Sequence, residues 1–314
     1  MLYLYRGDFM EVKAIVPRGY CKGVVRAIKI AKEARDAPKP ISILGMIVHN
    51  QYIVNALEDL GIHTMDMKDK TRIELLDYIN SGTVIITAHG ASDDVFNKAK
   101  DKGLHVIDAS CLDVIKTHDL IKDKLNKNYE ILYIGKNGHP EAEGAISIDK
   151  NHIHLITNKN DINQMDKTKS YVITNQTTMS LYDVYDLCEY AKEVLPDVQI
   201  AKETCTATKI RQEAIRNIDD DIDIVFIIGD PHSNNTKKLA SIAKEKANKE
   251  VYMIESINDL DINMLKGKKK AAVSSGASTP TYLTNQVIDF LKQFDENNLS
   301  TYKKPIIEKE KILD

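Results

Sequence analysis

What most constrains this chain is a unit that recurs six times: a short apolar strand, a polar loop, then an amphipathic helix. The six strand-and-loop segments are ISILGMIVHNQ with His49 and Asn50, TVIITAHGAS with His89, ILYIGKNGHPEAEG with His139 and Glu141, YVITNQTTMS with Thr177 and Thr178, IVFIIGDPHSNNT with Ser233, Asn234 and Asn235, and AAVSSGASTP with Ser278. Parallel strands need a crossover long enough to hold a helix, so strand, loop and helix in alternation predict α/β units with mostly parallel sheets. Cysteines punctuate the series. Cys21, Cys111 and Cys205 lie 90 and 94 residues apart, and two loops follow each of them. His49, His139 and Ser233 each stand 28 residues after their cysteine, while His89, Thr177 and Ser278 stand 68, 66 and 73 residues after theirs. Such a period is too long for a solenoid and suits a small domain, which predicts three similar α/β domains around a shared axis.

The boundaries that follow are 22–110, with Cys21 at its start, then 111–204, then 205–292 packed with the N-terminal strand 10–21. A charged tail over 293–314, broken by Pro305, reads as the end of the last helix followed by a poorly packed end. The residues before Met10 read as an alternative start or a leader without function. Basic and acidic residues, 43 and 46 of them, are interspersed for a net charge of −3, with no basic stripe for nucleic acid. No apolar run approaches a membrane span and the N-terminus lacks the marks of a secretory signal, so the reading is cytoplasmic.

In a cytoplasmic chain four cysteines are not a disulfide framework. Cys188 falls on one apolar face with Leu181, Val184, Tyr185 and Ala191 and reads as a packing residue. Cys21, Cys111 and Cys205 each open a helix-like stretch (CKGVVRAIKIAKEA, CLDVIKTHDLIKDKL and CTATKIRQEAIRNI), where the helix N-terminus favours thiolate. Three thiolates from equivalent positions can converge on one zinc with an open site, or on a [4Fe–4S] cluster with one iron free of protein ligands. The sequence sets no histidine or carboxylate beside the three, which suits the cluster better, but spacing leaves both open.

Loops between parallel strands and helices turn backbone N–H groups outward, and the His, Ser, Asn and Thr of these six add donors for a compact anion such as a diphosphate. Ser, Asn and Thr also serve as ordinary helix caps, a role that does not call for histidine. In GHPEAEG, Pro140 stiffens a turn that presents His139 beside Glu141, a pair able to relay a proton, whereas Glu143 reads as surface. His63, His105, His118, His152, His154 and His232 lie in helical, connecting or edge contexts. Dinucleotide and nucleotide phosphate loops are missing from the sequence, so electrons would come from a protein donor.

Taken together, GYCKGVVRAI, VHN, AHG, DASC, GHPEAEG, NQTT, ETCTAT, SNNT and GAS, in that order, resemble the 4-hydroxy-3-methylbut-2-enyl diphosphate reductase family from about Val12 to Phe290. The resemblance implies a pseudo-threefold α/β trefoil around a central [4Fe–4S] cluster, and a two-electron reductive dehydroxylation of that allylic diphosphate to isopentenyl and dimethylallyl diphosphates. It also implies a ferredoxin or flavodoxin-type electron donor. Carried over, Cys21, Cys111 and Cys205 are the cluster ligands; His49, His89, His139, Ser233, Asn234, Asn235 and Ser278 bind the diphosphate; Glu141 delivers the proton, Thr177 orients the hydroxyl and Thr178 is a weaker polar contact. Departures from the family pattern are Asn234 in place of a second serine, Leu112 in place of a proline after Cys111, and Lys237 and Lys238 in place of Asn and Arg. A non-catalytic iron–sulfur redox sensor or a three-cysteine zinc hydrolase would fit the cysteines, but the sensor leaves the histidine loops without a purpose.

Overall fold

The computed structural model describes residues 9–67, 69–201 and 205–314. Of the N-terminal leader only Phe9 falls among them. The described residues gather into two compact units, one holding the chain up to Cys21 together with His49–Ile53 and Ile210–Asp314, the other holding Lys22–Val48 and Val54–Lys209.

Every strand pairing is parallel, and among the described residues three four-stranded sheets share one pattern. In the second unit, β2 (Ile41–Leu44), β3 (Ile62–Met65), β4 (Thr83–Ile86) and β5 (His105–Asp108) run in the order β3-β2-β4-β5. The next four, β6 (Glu130–Ile134), β7 (Ile153–Ile156), β8 (Tyr171–Asn175) and β9 (Val198–Ile200), run β7-β6-β8-β9. In the first unit, β10 (Ile224–Ile228), β11 (Glu250–Ile254) and β12 (Lys270–Ser275) take the same order, and the N-terminal β1 (Glu11–Ala14) pairs with β12 as the fourth strand. The central strands TVII, EILYI and IVFII are buried on both faces, as strands covered by helices on either side must be, while edge strands such as EVKA and HVID are half exposed.

This strand order reverses between the two central strands of each sheet, and in open parallel sheets ligands bind at the carboxyl ends of strands where the order reverses. The loops that leave those strands are the six read from the sequence. Each edge strand β1, β5 and β9 leads to one of the three cysteines, and each cysteine directly precedes a helix: α1 (Lys22–Glu33) after Cys21, α5 (Leu112–Leu125) after Cys111 and α9 (Thr206–Arg216) after Cys205. The six helices that follow the loops are α2 (Gln51–Glu58), α4 (Asp93–Asp101), α6 (Pro140–Ile146), α8 (Leu181–Val194), α10 (Asn234–Glu245) and α11 (Thr281–Gln293), and two short ones, α3 (Arg72–Leu75) and α7 (Lys159–Asn163), precede β4 and β8. Ser92, Ser180 and Ser233 accept from backbone N–H groups of the first turns of α4, α8 and α10. Cys188 is buried on α8 beside Leu187 and Ala191, a packing residue. No helix among the described residues is long and apolar enough to cross a membrane.

The tail is better packed than the sequence predicts. Tyr302 lies 5.3 Å from the Phe294 ring and packs with Ile307 against the first unit's core, Ile312 is 1% exposed, and the Tyr20 hydroxyl donates to the Ile312 carbonyl at 2.5 Å. Three apolar side chains spaced through a charged segment suffice to anchor it, a pattern hidden by the overall polarity.

Phe226, fully buried in β10 and stacked on Tyr252 with centroids 6.1 Å apart, is central to that core. Phe226→Ala is expected to destabilise the protein by about 3–5 kcal/mol, read from chemical denaturation. A loss under about 1 kcal/mol would mean the core relaxes around the cavity.

Candidate active site

In the second unit the site is built on the loops after β4, β6 and β8 and on the two helix starts at Cys111 and Cys205. Cys111 is the N-cap of α5, its N–H donating to the Ala88 carbonyl at 2.9 Å, so this thiol and the His89 loop are tied through backbone. Arg26 donates to the carbonyl of Ser110 at 2.8 Å. The rings of His89 and His139 stand perpendicular with centroids 5.5 Å apart.

His139 is the N-cap of α6, and its Nδ1 accepts from the Glu141 N–H at 3.2 Å. That bond leaves Nε2 as the protonated nitrogen when the ring is neutral. Pro140 fills the first helical position, which needs no N–H. The turn aims Glu141 inward, where it is 2% exposed and receives two hydrogen bonds, from Thr177 N–H at 2.7 Å and Thr177 Oγ1 at 3.0 Å. Burial raises the carboxyl's pKa and the nearby Asp113 raises it further, against the two Thr177 bonds, leaving it at about 7. Gln176 links the loops by accepting from Lys136 N–H at 3.0 Å while donating to Thr178 Oγ1 at 2.7 Å.

Cys205 Sγ donates to Asp113 Oδ2 at 3.2 Å. This overturns two expectations from the sequence. A carboxylate does lie beside one of the three cysteines, because Asp113, in the first turn of α5, faces it. Nor is this thiol acidified: burial pushes it up to about 11, with Asp113 adding to the shift, and this outweighs the helix N-terminus. A metal–thiolate bond would put a cation in that proton's place. The donor chemistry, soft sulfur ahead of three equivalent helices, fits an iron–sulfur cluster. Asp113 was missed because its meaning lies in what it faces; its only trace in the sequence is an acidic residue two places after a cysteine.

In the first unit, Ser278 Oγ donates to the His49 carbonyl at 3.0 Å, joining the loops that carry them. The Cys21 N–H donates to the Ala277 carbonyl at 3.1 Å, beside the same GAS turn. Ser233 is the N-cap of α10, and Asn234 and Asn235 open that helix, all three buried. Neither side-chain atom of Asn235 has a hydrogen-bond partner among the described residues, although the residue is 4% exposed. Buried amides left so are uncommon and call for a partner such as an ordered water or a polar ligand. Lys237 and Lys238 lie one turn further along α10, and nothing in the structure explains their departure from the family pattern.

A buried acid poised near neutrality at the carboxyl ends of parallel strands is an arrangement that α/β enzymes use for acid–base chemistry. Comparison supplies the rest. The chain belongs to the LytB protein family, whose sequence model matches residues 12–292, and it is accordingly an oxidoreductase. It is 48% identical over 299 residues to the 4-hydroxy-3-methylbut-2-enyl diphosphate reductase of Anoxybacillus flavithermus, covering 94% of each chain. Against the enzyme of the same name from an Exiguobacterium species it is 48% identical over 311 residues, covering 97% of this chain and 98% of the other. Among solved structures, the E-1-hydroxy-2-methyl-but-2-enyl-4-diphosphate reductase of Plasmodium falciparum superposes with a TM-score of 0.82 at 31% identity, covering 90% of this chain and 87% of that one.

Proposed function

We propose that this chain reduces 4-hydroxy-3-methylbut-2-enyl diphosphate to isopentenyl and dimethylallyl diphosphates. Two electrons and two protons are consumed: one proton leaves with the hydroxyl as water, and the other ends on the allylic carbon skeleton. The observation that carries the reading is Glu141, a buried acid held by Thr177 with its pKa at about 7, in a chain whose relatives bear this reductase name.

Cys21, Cys111 and Cys205 are read as holding a [4Fe–4S] cluster, supported by their equivalent places after an edge strand and before a helix. Bound there, the cluster would supply Lewis acidity at its open iron and a path for electrons from a ferredoxin or flavodoxin-type donor. Everything else falls to the protein. His49, His89 and His139 with Ser233, Asn234, Asn235 and Ser278 offer N–H and O–H donors to the diphosphate, and the bare amide of Asn235 supports that role. Thr177, bonded to Glu141, sets the substrate hydroxyl in line with the proton to be given, and Thr178, held by Gln176, is a secondary contact. Glu141 passes its proton to the departing hydroxyl. A cytoplasmic setting and three domains over 22–110, 111–204 and 205–292 belong to the same reading, which the three matching sheets support.

An acid with a pKa of about 7 donates only while protonated, so kcat/KM should fall as pH rises through about 7. Assays with a reduced viologen between pH 6 and 9 check this, and a flat profile would remove Glu141 as donor. Product analysis tests the function itself: the two five-carbon diphosphates should appear together, and an unchanged allylic alcohol would refute the reading.

A further inference from the structure

The histidine loop after β4 is held by a residue outside every motif. Arg72 opens the short helix α3, whose N-cap Thr71 accepts from Glu74 N–H through its side chain and donates its own N–H to the Glu74 carboxylate in return. From this fixed start the Arg72 guanidinium reaches two groups in the TAHG turn. It donates to the Gly90 carbonyl on one side of His89, and to Thr87 Oγ1 at 2.6 Å on the other. Thr87 Oγ1 in turn lies 3.4 Å from His89 Nδ1. A guanidinium only donates, so the Thr87 oxygen must accept from it, which leaves the hydroxyl hydrogen available to His89 Nδ1. With the hydroxyl donating to Nδ1 in this way, the ring proton sits on Nε2, the nitrogen that can face an anion.

The turn is confined from its other side as well. Gly90 has φ +74°, and a Cβ there would stand 3.0 Å from Val114 Cγ1 and 3.7 Å from His118 Cε1, both on α5. The loop therefore sits between α5 and the guanidinium. Burial lowers the Arg72 pKa to about 10, with Glu143 and Asp66 opposing the shift, so the side chain remains a cation at neutral pH.

We infer that Arg72 is a positioning residue for diphosphate binding: by bridging Gly90 and Thr87 it fixes the orientation and ring tautomer of His89. The inference rests on the reading that His89 binds the diphosphate. It assigns Arg72 no contact with substrate, so its effect should pass through His89 alone.

The test uses the cluster-loaded protein and two readouts: affinity for inorganic diphosphate by calorimetry, and the KM and kcat for the allylic diphosphate. Arg72→Met keeps the apolar stem but removes the donors, Arg72→Lys restores one donor, and Thr87→Val cuts the link to His89 while sparing the bond to Gly90. Arg72→Met and Thr87→Val should each weaken diphosphate binding and raise KM by about tenfold, the scale of one lost charge-assisted or orienting hydrogen bond, with kcat and iron content near wild type. Arg72→Lys should recover part of the loss. In a His89→Ala background, Arg72→Met should add less than about twofold, because residues acting through one group are not additive. Wild-type diphosphate affinity in Arg72→Met, even with a lowered melting temperature, would overturn the inference, as would a full additive effect beside His89→Ala. Should Arg72→Met fail to fold, Thr87→Val decides the matter alone, and unchanged affinity there refutes the link. If His89→Ala itself leaves diphosphate affinity intact, the underlying reading of His89 has failed, an outcome separate from the first two.

Discussion

Glu141→Gln is expected to fold, take up its cluster and bind the allylic diphosphate, yet lose turnover by about a hundredfold or more, the usual worth of a positioned general acid. The substitution is close to isosteric. The amide oxygen can still accept from Thr177 N–H, and the Thr177 hydroxyl can turn to accept from the new amide in place of donating to the carboxylate. What disappears is the titrating proton. The same change alters stability in a direction that can be worked out. The Glu141 pKa stands at about 7 in the folded chain against an ordinary value of 4.5, so folding favours the protonated acid. The stability this gives is complete below about 4.5 and is lost as pH rises through about 7. Glu141→Gln should therefore lack that decline, and above neutrality it should be no less stable than the parent. Turnover within a fewfold of wild type would end the assignment of Glu141 as proton donor.

The second large effect is at the cysteines. Cys111→Ser should weaken cluster retention by well over about 10–100-fold, the loss seen when even an outer partner of a metal ligand is removed. Iron and sulfide per chain, with the visible absorbance after anaerobic reconstitution, give the answer. Cys188→Ala is the matched control. That thiol is 4% exposed in the α8 core and burial pushes its pKa up to about 11, so its loss should cost a little stability and no iron. Equal iron in Cys111→Ser and wild type would remove Cys111 from the ligand set.

Much of this architecture could be read from the chain because its signals are local and repeated. Each of the six loops sits between a run such as TVII or IVFII, too apolar for an exposed edge, and a helix of clear amphipathic period. The even spacing of Cys21, Cys111 and Cys205 reflects a real equivalence in topology, after β1, β5 and β9. The GHPE turn likewise announces a stiffening proline with a histidine and an acid beside it, although that His139 itself caps the helix runs against the expectation that capping does not call for histidine.

What stayed hidden depends on partners remote in sequence. Asp113 matters because it faces Cys205, 92 positions away, and the high pKa of that thiol arises from burial, which outweighed a rule based on helix ends alone. Arg72 reaches a loop 15 and 18 positions away from a helix of four residues, too short to leave a periodic signal. The docked tail escaped because three anchors, Tyr302, Ile307 and Ile312, are diluted among charges.

The most direct test of the account is anaerobic. The protein is reconstituted with iron and sulfide and mixed with a reduced viologen, and dye oxidation is followed on adding 4-hydroxy-3-methylbut-2-enyl diphosphate. The account predicts oxidation that depends on substrate and consumes two electrons for each molecule converted. A coloured, cluster-bearing protein that leaves the dye reduced at every substrate concentration would contradict it and point to an iron–sulfur sensor built on the same fold.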